Sequence, residues 1–504
     1  MSTSEKALSQ PKLTLRARAA SVRRPAIPRP LALLLVLALI EVFAWVMVTP
    51  AFQGPDEIAH YAYTQNLAEN GKRPQPDTGS GTESTLAHSA VYYLDLRAIA
   101  GNAGSRPLWS KADERGWKAV ENGLPPSARK DAGGPNAVAK NPPLYYLYEA
   151  GVYKLFSGTA FFTQMFWMRI ANGLLFVLTV LFSWLLASEL FSRMWMRVLA
   201  TSVVALQPML TYTAGVINPD TLLATVWAAF LFLAARTVLR GPSARRLVAL
   251  AAVVAAALLT HGRGIAMVPP ALVAVGLAFD RHRPRHRRAI RIGGLVATVV
   301  LALVAWRVLV TGDLPGPYGG ELNIPPEARH PGEFLSFVWQ FYLPKLPFMA
   351  PRIGPPYGFN QVYIVGLLGG RFGSLDTLFS QQVYDIVELL VLGGLVLLVA
   401  AAIARADELR VRWDVVALLV VSALSLILFL HFASYRALST EVNKTDPLLV
   451  GRYLMPLIPL YALAITVVVG SARRWSLHVA GLVLGLAIVH QLGALGLVLA
   501  RFYG

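Results

Sequence analysis

The chain has 504 residues, of which 55% are hydrophobic and 15% charged, and it contains no cysteine. The charged share is well below the roughly 25% of an average soluble domain, and without cysteine no disulfide bond, thiolate metal site or thiol nucleophile can form. The net charge of +18 does not indicate nucleic-acid binding, because the basic excess lies in short connectors between every second apolar stretch, as the positive-inside rule requires of a membrane protein. These connectors are residues 1–30, 192–197, 236–246, 280–291, 405–412 and 471–475.

The apolar stretches predict the fold class. A helix of ~20 apolar residues crosses the ~30 Å hydrocarbon core, so the sequence predicts an all-α polytopic membrane protein with about eleven transmembrane helices. With the basic connectors inside, an odd number of spans places the N-terminus in the cytoplasm and the C-terminus outside it. Residues 1–30 are expected to be a disordered basic tail. The Ala-, Arg- and Gly-rich composition favours a high-GC bacterium, and the expected location is the bacterial inner membrane. The spans are predicted near residues 31–49, 168–190, 198–217, 220–239, 247–261, 264–279, 292–310, 386–404, 413–432, 453–470 and 476–498.

Two long polar loops interrupt the predicted transmembrane domain, which extends over residues 31–498, and both face outwards. The first, residues 50–167, is expected to contain short amphipathic helices near 56–70 and 144–156. The second of these helices is rich in aromatic side chains and suits the membrane interface. The other loop, residues 311–385, is dense in Pro, Gly and aromatic residues, which is typical of an ordered surface over a site.

The most distinctive motif, QGPDEIAHY, begins at residue 53, directly after the first predicted span. Adjacent carboxylates at Asp56 and Glu57 are followed by His60, and a helix places Glu57 and His60 on one face. These groups suit a hard divalent cation such as Mg²⁺, Mn²⁺ or Ca²⁺, or acid–base chemistry. In the alternative interpretation, Asp56 only caps the N-terminus of the helix.

Further polar motifs are predicted at the outer ends of the spans. NPPLYY in the first loop suits sugar stacking or an interfacial anchor, and NPD before the fourth span suits either a binding residue or an N-cap turn. HGR and GRYLMP each place an arginine at an outer mouth, where the topology rule does not require charge. Arg263, beside His261, and Arg452 could converge on a phosphate, which guanidinium groups bind bidentately. The substrate- or interface-facing candidates are Tyr61, Asn141, Tyr145, Tyr146, Asn218 and Asp220.

Taken together, the outer mouth carries acids, arginines and aromatic loops, and this combination suggests transfer of a group from a lipid-linked phosphate to an outer acceptor. Within the first span, Glu41 is expected to pair with a buried cation, since an ionised carboxylate is costly there.

Three of these segments, GPDEIAHY, NPPLYY and GRYLMP, resemble the DUF2142 family of predicted membrane proteins. More broadly they resemble the GT-C glycosyltransferases, which include the protein O-mannosyltransferases and the aminoarabinose transferases. The resemblance extends over the predicted spans from about residue 31 to residue 498. It implies a GT-C-like fold and transfer of a sugar, with inversion, from a polyprenyl-phosphate donor in the bilayer to a glycan or glycolipid acceptor of the envelope.

The resemblance also implies roles for individual residues. Asp56 would be the catalytic base, and Glu57 would support it or bind a divalent cation with His60 as a second ligand. Arg263 and Arg452, with His261 beside them, would hold the donor phosphate as charge grows on it. Lys345 in the second loop is a further candidate for that task.

Three other functions are compatible with a multi-span protein. A transporter or flippase of lipid-linked sugars would share the arginines, but it does not need the acidic pair and would favour internal repeats, which the sequence lacks. A polysaccharide polymerase or ligase carries its large loop late in the chain, whereas here the largest loop follows the first span. An envelope scaffold would not need the cluster of Asp56, Glu57 and His60.

Overall fold

The computed structural model describes residues 27–76, 83–100, 102, 104–108, 110–282, 288, 292, 294, 331–343, 345–350, 360–437 and 450–504. These residues are mostly helical, as the sequence predicts. The first helices are α1 (Arg29–Val48), α2 (Glu57–Asn70), α3 (Thr85–Tyr93), α4 (Leu96–Ile99), α5 (Lys111–Gly123) and α6 (Leu144–Leu155). The central helices are α7 (Phe161–Leu190), α8 (Met194–Ala205), α9 (Pro208–Ala214), α10 (Pro219–Arg240), α11 (Ala244–Thr260) and α12 (Val268–His282). The later helices are α13 (Pro331–Tyr342), α14 (Gln381–Ala404), α15 (Ala406–Val411), α16 (Trp413–Ala437), α17 (Ile458–Ser471) and α18 (Ser476–Tyr503).

Shorter elements connect these helices. Two pairs of two-residue strands are present in the described residues: β1 (Gln75–Pro76) runs parallel to β2 (Pro135–Asn136), and β3 (Arg371–Phe372) antiparallel to β4 (Thr377–Leu378). The 3₁₀ turns are Pro126–Arg129, Gly262–Met267, Gly451–Leu457 and Arg473–Trp475, and Asn360–Gly369 is π-helical.

Eight helical segments of the described chain are long and apolar enough to cross a membrane, and they match eight of the predicted spans. They are Arg29–Val48, Phe161–Leu190, Pro219–Arg240, Gly262–His282, Gln381–Ala404, Trp413–Phe432, Gly451–Ser471 and Arg473–Tyr503.

The predicted number of about eleven spans is not confirmed. The span expected at 198–217 forms two short helices, α8 and α9, that meet at Pro208, because proline cannot continue the hydrogen-bond ladder of the preceding helix. The span expected at 247–261 is the 17-residue α11, at the lower limit for crossing. The span expected at 292–310 lies outside the described residues apart from 292 and 294, as do residues 1–26 of the predicted tail and most of 311–359 in the second loop.

The centre of the bundle is α10, which packs against α7, α11 and α12. Small and hydroxylated residues allow these close approaches, since the helices of a membrane protein associate through packing and interhelical hydrogen bonds. Thr179 of α7 and Thr225 of α10 share a hydrogen bond of 2.9 Å between their hydroxyls. A Cβ atom on Gly173 of α7 would lie 2.0 Å from Val42 Cγ1 of α1, so this crossing requires glycine.

The two ends of the helix bundle carry different residues, with the basic connectors at one end and the first loop at the other. At one end the basic connectors meet: Arg240 Nε donates to Glu189 Oε2 at 2.8 Å, and Arg405 Nη2 donates to the Gly470 carbonyl at 3.0 Å. The first loop and the starts of α7 and α10 lie at the opposite end, where the acidic motif is also found. Asp56 and Asp220, two of the residues predicted to be functional, therefore lie at that end.

The first loop is folded around a pair of helices, α2 and α6. Tyr63 and Tyr146 stack face to face across this pair, with ring centroids 3.7 Å apart. The prediction that α6 lies in the membrane interface with its aromatic side chains is wrong for Tyr145, Tyr146 and Tyr153, because α2 covers them and they are fully buried. Helix α5 was not predicted, although the capping box of Ser110 and Asp113 is a signal for its start.

Helix α18 joins distant parts of the chain. Arg501 donates to the carbonyls of Ile99 and Asn102 in the first loop and to Asp376 Oδ2 in the second, all within 3.1 Å. Deeper in the bundle, Gln491 donates to the Glu41 carboxylate. The expected cationic partner of Glu41 is thus replaced by an amide, which satisfies the carboxyl group without a second buried charge.

Candidate functional site

The segment 53–57, which leads from α1 into α2, is held by contacts with several other parts of the chain. The Gln53 amide donates to the Leu96 carbonyl at 2.9 Å. A Cβ atom on Gly54 would lie 2.7 Å from Val216 Cβ, so only glycine permits this approach. The Pro55 carbonyl accepts from Asn218 Nδ2 at 3.1 Å. Among the residues of this loop only the Asp56 side chain is exposed.

Glu57 forms a buried ion pair with Arg169, a residue of α7 that lies 112 positions away in the sequence. Arg169 Nε and Nη2 donate to the two carboxylate oxygens at 2.8 and 2.6 Å. Arg169 Nη1 donates to the Thr49 carbonyl at 2.6 Å and Nη2 also donates to the Pro50 carbonyl at 2.9 Å, so every guanidinium nitrogen makes a hydrogen bond. Removing one partner of such a pair costs about 3–5 kcal/mol of stability, because the other charge stays buried.

Asp56 occupies the N-cap position of α2, but it does not act as a cap. Its backbone is left-handed (φ 57°), and its side chain accepts no hydrogen bond from the first turn of the helix. Instead Asp56 Oδ2 accepts from Arg452 Nη2 at 2.6 Å. The Asp56 side chain is 54% exposed, whereas that of Arg452 is 6% exposed. The motif therefore presents one carboxylate to the surroundings from an otherwise buried loop.

Arg452 and Arg263 meet around Asp220, at the start of α10. The Asp220 carboxylate accepts from Arg263 Nη2, and its other oxygen lies 3.6 Å from Arg452 Nε. The Tyr453 ring contacts both guanidiniums, with centroids 4.2 Å from Arg263 Cζ and 5.4 Å from Arg452 Cζ. Asn218 caps α10 through its side chain, which accepts from the Asp220 N–H at 2.9 Å, so the N-cap interpretation of NPD is confirmed.

Arg452 is positioned by a close contact between its neighbour Gly451 and Gly366. A Cβ atom on Gly451 would lie 2.1 Å from the Val362 carbonyl oxygen and 2.4 Å from the Gly366 carbonyl carbon. Both atoms belong to the π-helical segment, and backbone cannot move aside as a side chain can. The segment therefore packs directly on the turn that carries Arg452 into the cluster.

His60 lies at the edge of this cluster, on α2. Its Nδ1 is 2.9 Å from the Tyr146 hydroxyl, which itself accepts from Asn141 Nδ2 at 3.0 Å. Because the Tyr146 hydroxyl oxygen accepts from Asn141, its own proton can be donated to His60 Nδ1. Burial lowers the pKa of His60 to about 4, against the opposing pull of the Asp56 and Asp220 carboxylates. His60 is therefore neutral at physiological pH and adds no charge to the site.

The predicted pairing of Glu57 and His60 on a divalent cation does not fit this geometry. Both oxygens of Glu57 accept from Arg169, Oε1 also accepts from the Ile217 N–H at 3.0 Å, and His60 is paired with Tyr146. In the described part of the chain no three His, Asp or Glu side chains form a group that could hold a metal ion.

The other predicted residues lie in different surroundings. Tyr61 is buried in an aromatic core with Phe52, Phe161 and Tyr153. Tyr145 is also fully buried. His261 Nδ1 lies 3.3 Å from Arg263 Nε and so borders the cluster. Lys345 is exposed and donates to the Met349 carbonyl at 3.2 Å, and no contact among the described residues links it to the two arginines.

Sequence reasoning missed Arg169 and Tyr453. An arginine within an apolar span is itself a signal for function, and Tyr453 directly follows a predicted arginine. The Arg452 guanidinium has a further property: its Nε and Nη1 atoms are buried and make no hydrogen bond to the described residues. Buried polar groups are nearly always hydrogen-bonded, so these two donors are an exception, with Nε lying 3.6 Å from the Asp220 carboxylate.

The comparison with protein families agrees with the membrane character of the chain. The family model of a predicted membrane protein (DUF2142) matches residues 39–461, which include the acidic loop and both arginines of the cluster. No curated protein is significantly similar in sequence. Among solved structures, the apo oligosaccharyltransferase of Archaeoglobus fulgidus is similar at a TM-score of 0.44 and 12% sequence identity. The match covers 94% of this chain and 56% of that one, so the chain spans about half the length of that protein.

Proposed function

The chain belongs to the DUF2142 family of predicted membrane proteins, and we propose that it is a membrane glycosyltransferase. The proposed donor is a sugar carried by a polyprenyl phosphate in the bilayer, and the proposed acceptor is a hydroxyl group of a glycan or glycolipid in the cell envelope. Asp56 is the proposed base.

One observation carries the proposal. Asp56 is the exposed carboxylate of a buried loop, and it contacts Arg452, whose Nε and Nη1 donors have no hydrogen-bond partner among the described residues. An exposed carboxylate and an arginine with unpaired donors thus lie side by side at the end of a helix bundle. A phosphate head group can bind Arg452 there while its polyprenyl tail stays in the apolar surroundings of the helices.

The proposed reaction needs few groups. Asp56 accepts the proton of the acceptor hydroxyl as its oxygen bonds to the anomeric carbon of the sugar from the face opposite the phosphate. The bond between that carbon and the phosphate oxygen breaks, and the electron pair leaves with the phosphate. Arg452 and Arg263 stabilise the charge that develops there. Attack from the opposite face inverts the anomeric configuration, and protonated Asp56 then returns its proton to water.

The test is sugar transfer by the purified full-length protein with a panel of synthetic polyprenyl-phosphate sugars. We expect Asp56→Asn to reduce transfer at least about 100-fold, since a positioned base contributes 10²–10⁴, and to retain donor binding. Asp376→Asn is the matched control, because Asp376 is also paired with an arginine, Arg501, but lies outside the cluster. We expect this variant to transfer at the wild-type rate.

The possible results separate the functions. Donor binding without turnover, across all acceptors tested, would contradict the enzyme and favour a transporter of lipid-linked sugars. Full activity of Asp56→Asn would contradict the role of Asp56 while leaving the donor class intact. Absence of both binding and turnover would contradict the phosphate site at Arg452.

A further inference from the structure

The pair of Glu57 and Arg169 is buried, and every nitrogen and oxygen of its two charged groups makes a hydrogen bond within the protein. It connects separate segments of the chain. Arg169 extends from α7 to the carbonyls that end α1, and Glu57 accepts from the Ile217 N–H at 3.0 Å, just before α10. The start of α2 is thereby fixed to three other helices at a single point.

Asp56 lies immediately before this point, in a backbone conformation that needs support. A left-handed φ of 57° is uncommon for residues other than glycine, and such a conformation persists only where the surrounding structure holds it. On one side Pro55 has a restricted φ, and its carbonyl is held by Asn218. On the other side Glu57 holds the chain, because its carboxylate is paired with Arg169 and its N–H donates to the Gly54 carbonyl at 3.2 Å.

We infer that Glu57 and Arg169 are positioning residues that hold the Asp56 carboxylate at the distance from the donor that proton transfer requires. This inference rests on the proposed function. Both side chains are buried, at 5% exposure for Arg169 and 0% for Glu57, so neither is open to a reactant. The two arginines of the cluster, Arg452 and Arg263, are carried by other elements. The pair therefore controls the rate of transfer and leaves donor binding to the arginine cluster.

Two variants separate positioning from simple stabilisation. Arg169→Lys keeps the charge that neutralises Glu57, but an ammonium group cannot reproduce the two-pronged contact or reach both carbonyls. The double variant Glu57→Gln/Arg169→Gln removes both buried charges, so no uncompensated charge remains to unfold the protein. For both we expect kcat to fall about 100-fold, the loss typical of a misplacement near 1 Å, with the KM for the donor changed less than about threefold.

The matched control is the double variant Asp376→Asn/Arg501→Gln. It removes an ion pair of similar construction, in which the arginine also donates to loop carbonyls. We expect the thermal stability of the protein to fall as much as in the Glu57 and Arg169 double variant, but with kcat unchanged.

Each result decides the question. A folded Glu57→Gln/Arg169→Gln protein with wild-type kcat would overturn the positioning role and leave the proposed function standing. Parallel loss of kcat in the control variant would overturn it as well, because the effect would then follow stability. If the wild-type protein transfers no sugar from any polyprenyl-phosphate donor, the proposed function fails and the inference fails with it.

Discussion

At the scale of single residues, the ion pair between Asp56 and Arg452 poses a question for the proposed chemistry. The carboxylate that must accept a proton also contacts the guanidinium that must bind phosphate. Because Asp56 is about half exposed and Arg452 is buried, the aspartate can leave while the arginine stays in place. A donor phosphate would then displace Asp56 from Arg452 and free it to act as the base.

This exchange predicts an unusual effect of removing the base. Asp56→Asn deletes a carboxylate that competes with phosphate for Arg452, so the affinity for a polyprenyl phosphate should rise. Asp56, the carboxylate partner of this ion pair, is about half exposed, and solvent-screened ion pairs contribute about 0.2–1 kcal/mol. This corresponds to roughly a one-and-a-half- to fivefold change in affinity. The measurement is equilibrium binding of polyprenyl phosphate to the protein in detergent, with Asp376→Asn as the control. Unchanged or weaker binding by Asp56→Asn would show that the two anions do not compete.

At the scale of elements, the contact of the π-helical segment with Gly451 sets the position of Arg452. Gly451→Ala would place a methyl group 2.1 Å from the Val362 carbonyl oxygen, and overpacking of this kind costs about 1–3 kcal/mol. We expect a lower melting temperature together with weaker binding of polyprenyl phosphate. The control is Gly485→Ala in α18, where nothing lies within 4 Å of the new methyl group. If Gly451→Ala bound phosphate as tightly as the wild type, the segment would not position Arg452.

Local sequence patterns predict some of these elements but not the contacts between them. Local patterns were sufficient for the helix that follows Gly54 and Pro55 and for the long apolar spans, since periodicity and composition are properties of neighbouring residues. The partner of Glu57 could not be found in this way, because Arg169 comes close only after two helices have packed. For the same reason the sequence predicts that the aromatic residues of α6 lie in the membrane interface, although α2 covers Tyr145, Tyr146 and Tyr153.

At the scale of the whole molecule, the proposed function depends on which side of the membrane carries the acidic loop. The structure places that loop and the basic connectors at opposite ends of the helices. Because the chain has no cysteine, single cysteines can report the orientation without background. Lys118 in α5 has a side chain that is 62% exposed, and Arg410, in the connector between α14 and α16, one that is 81% exposed.

We expect Lys118→Cys to react with a membrane-impermeant maleimide in intact spheroplasts, and Arg410→Cys to react only after the membrane is permeabilised. The reason is the positive-inside rule, which retains the arginine-rich connectors in the cytoplasm. The unsubstituted protein is the control for labelling elsewhere. The reverse pattern would place Asp56 and its arginines in the cytoplasm, where an envelope acceptor is absent, and the donor site would then have to serve a reaction on the inner leaflet.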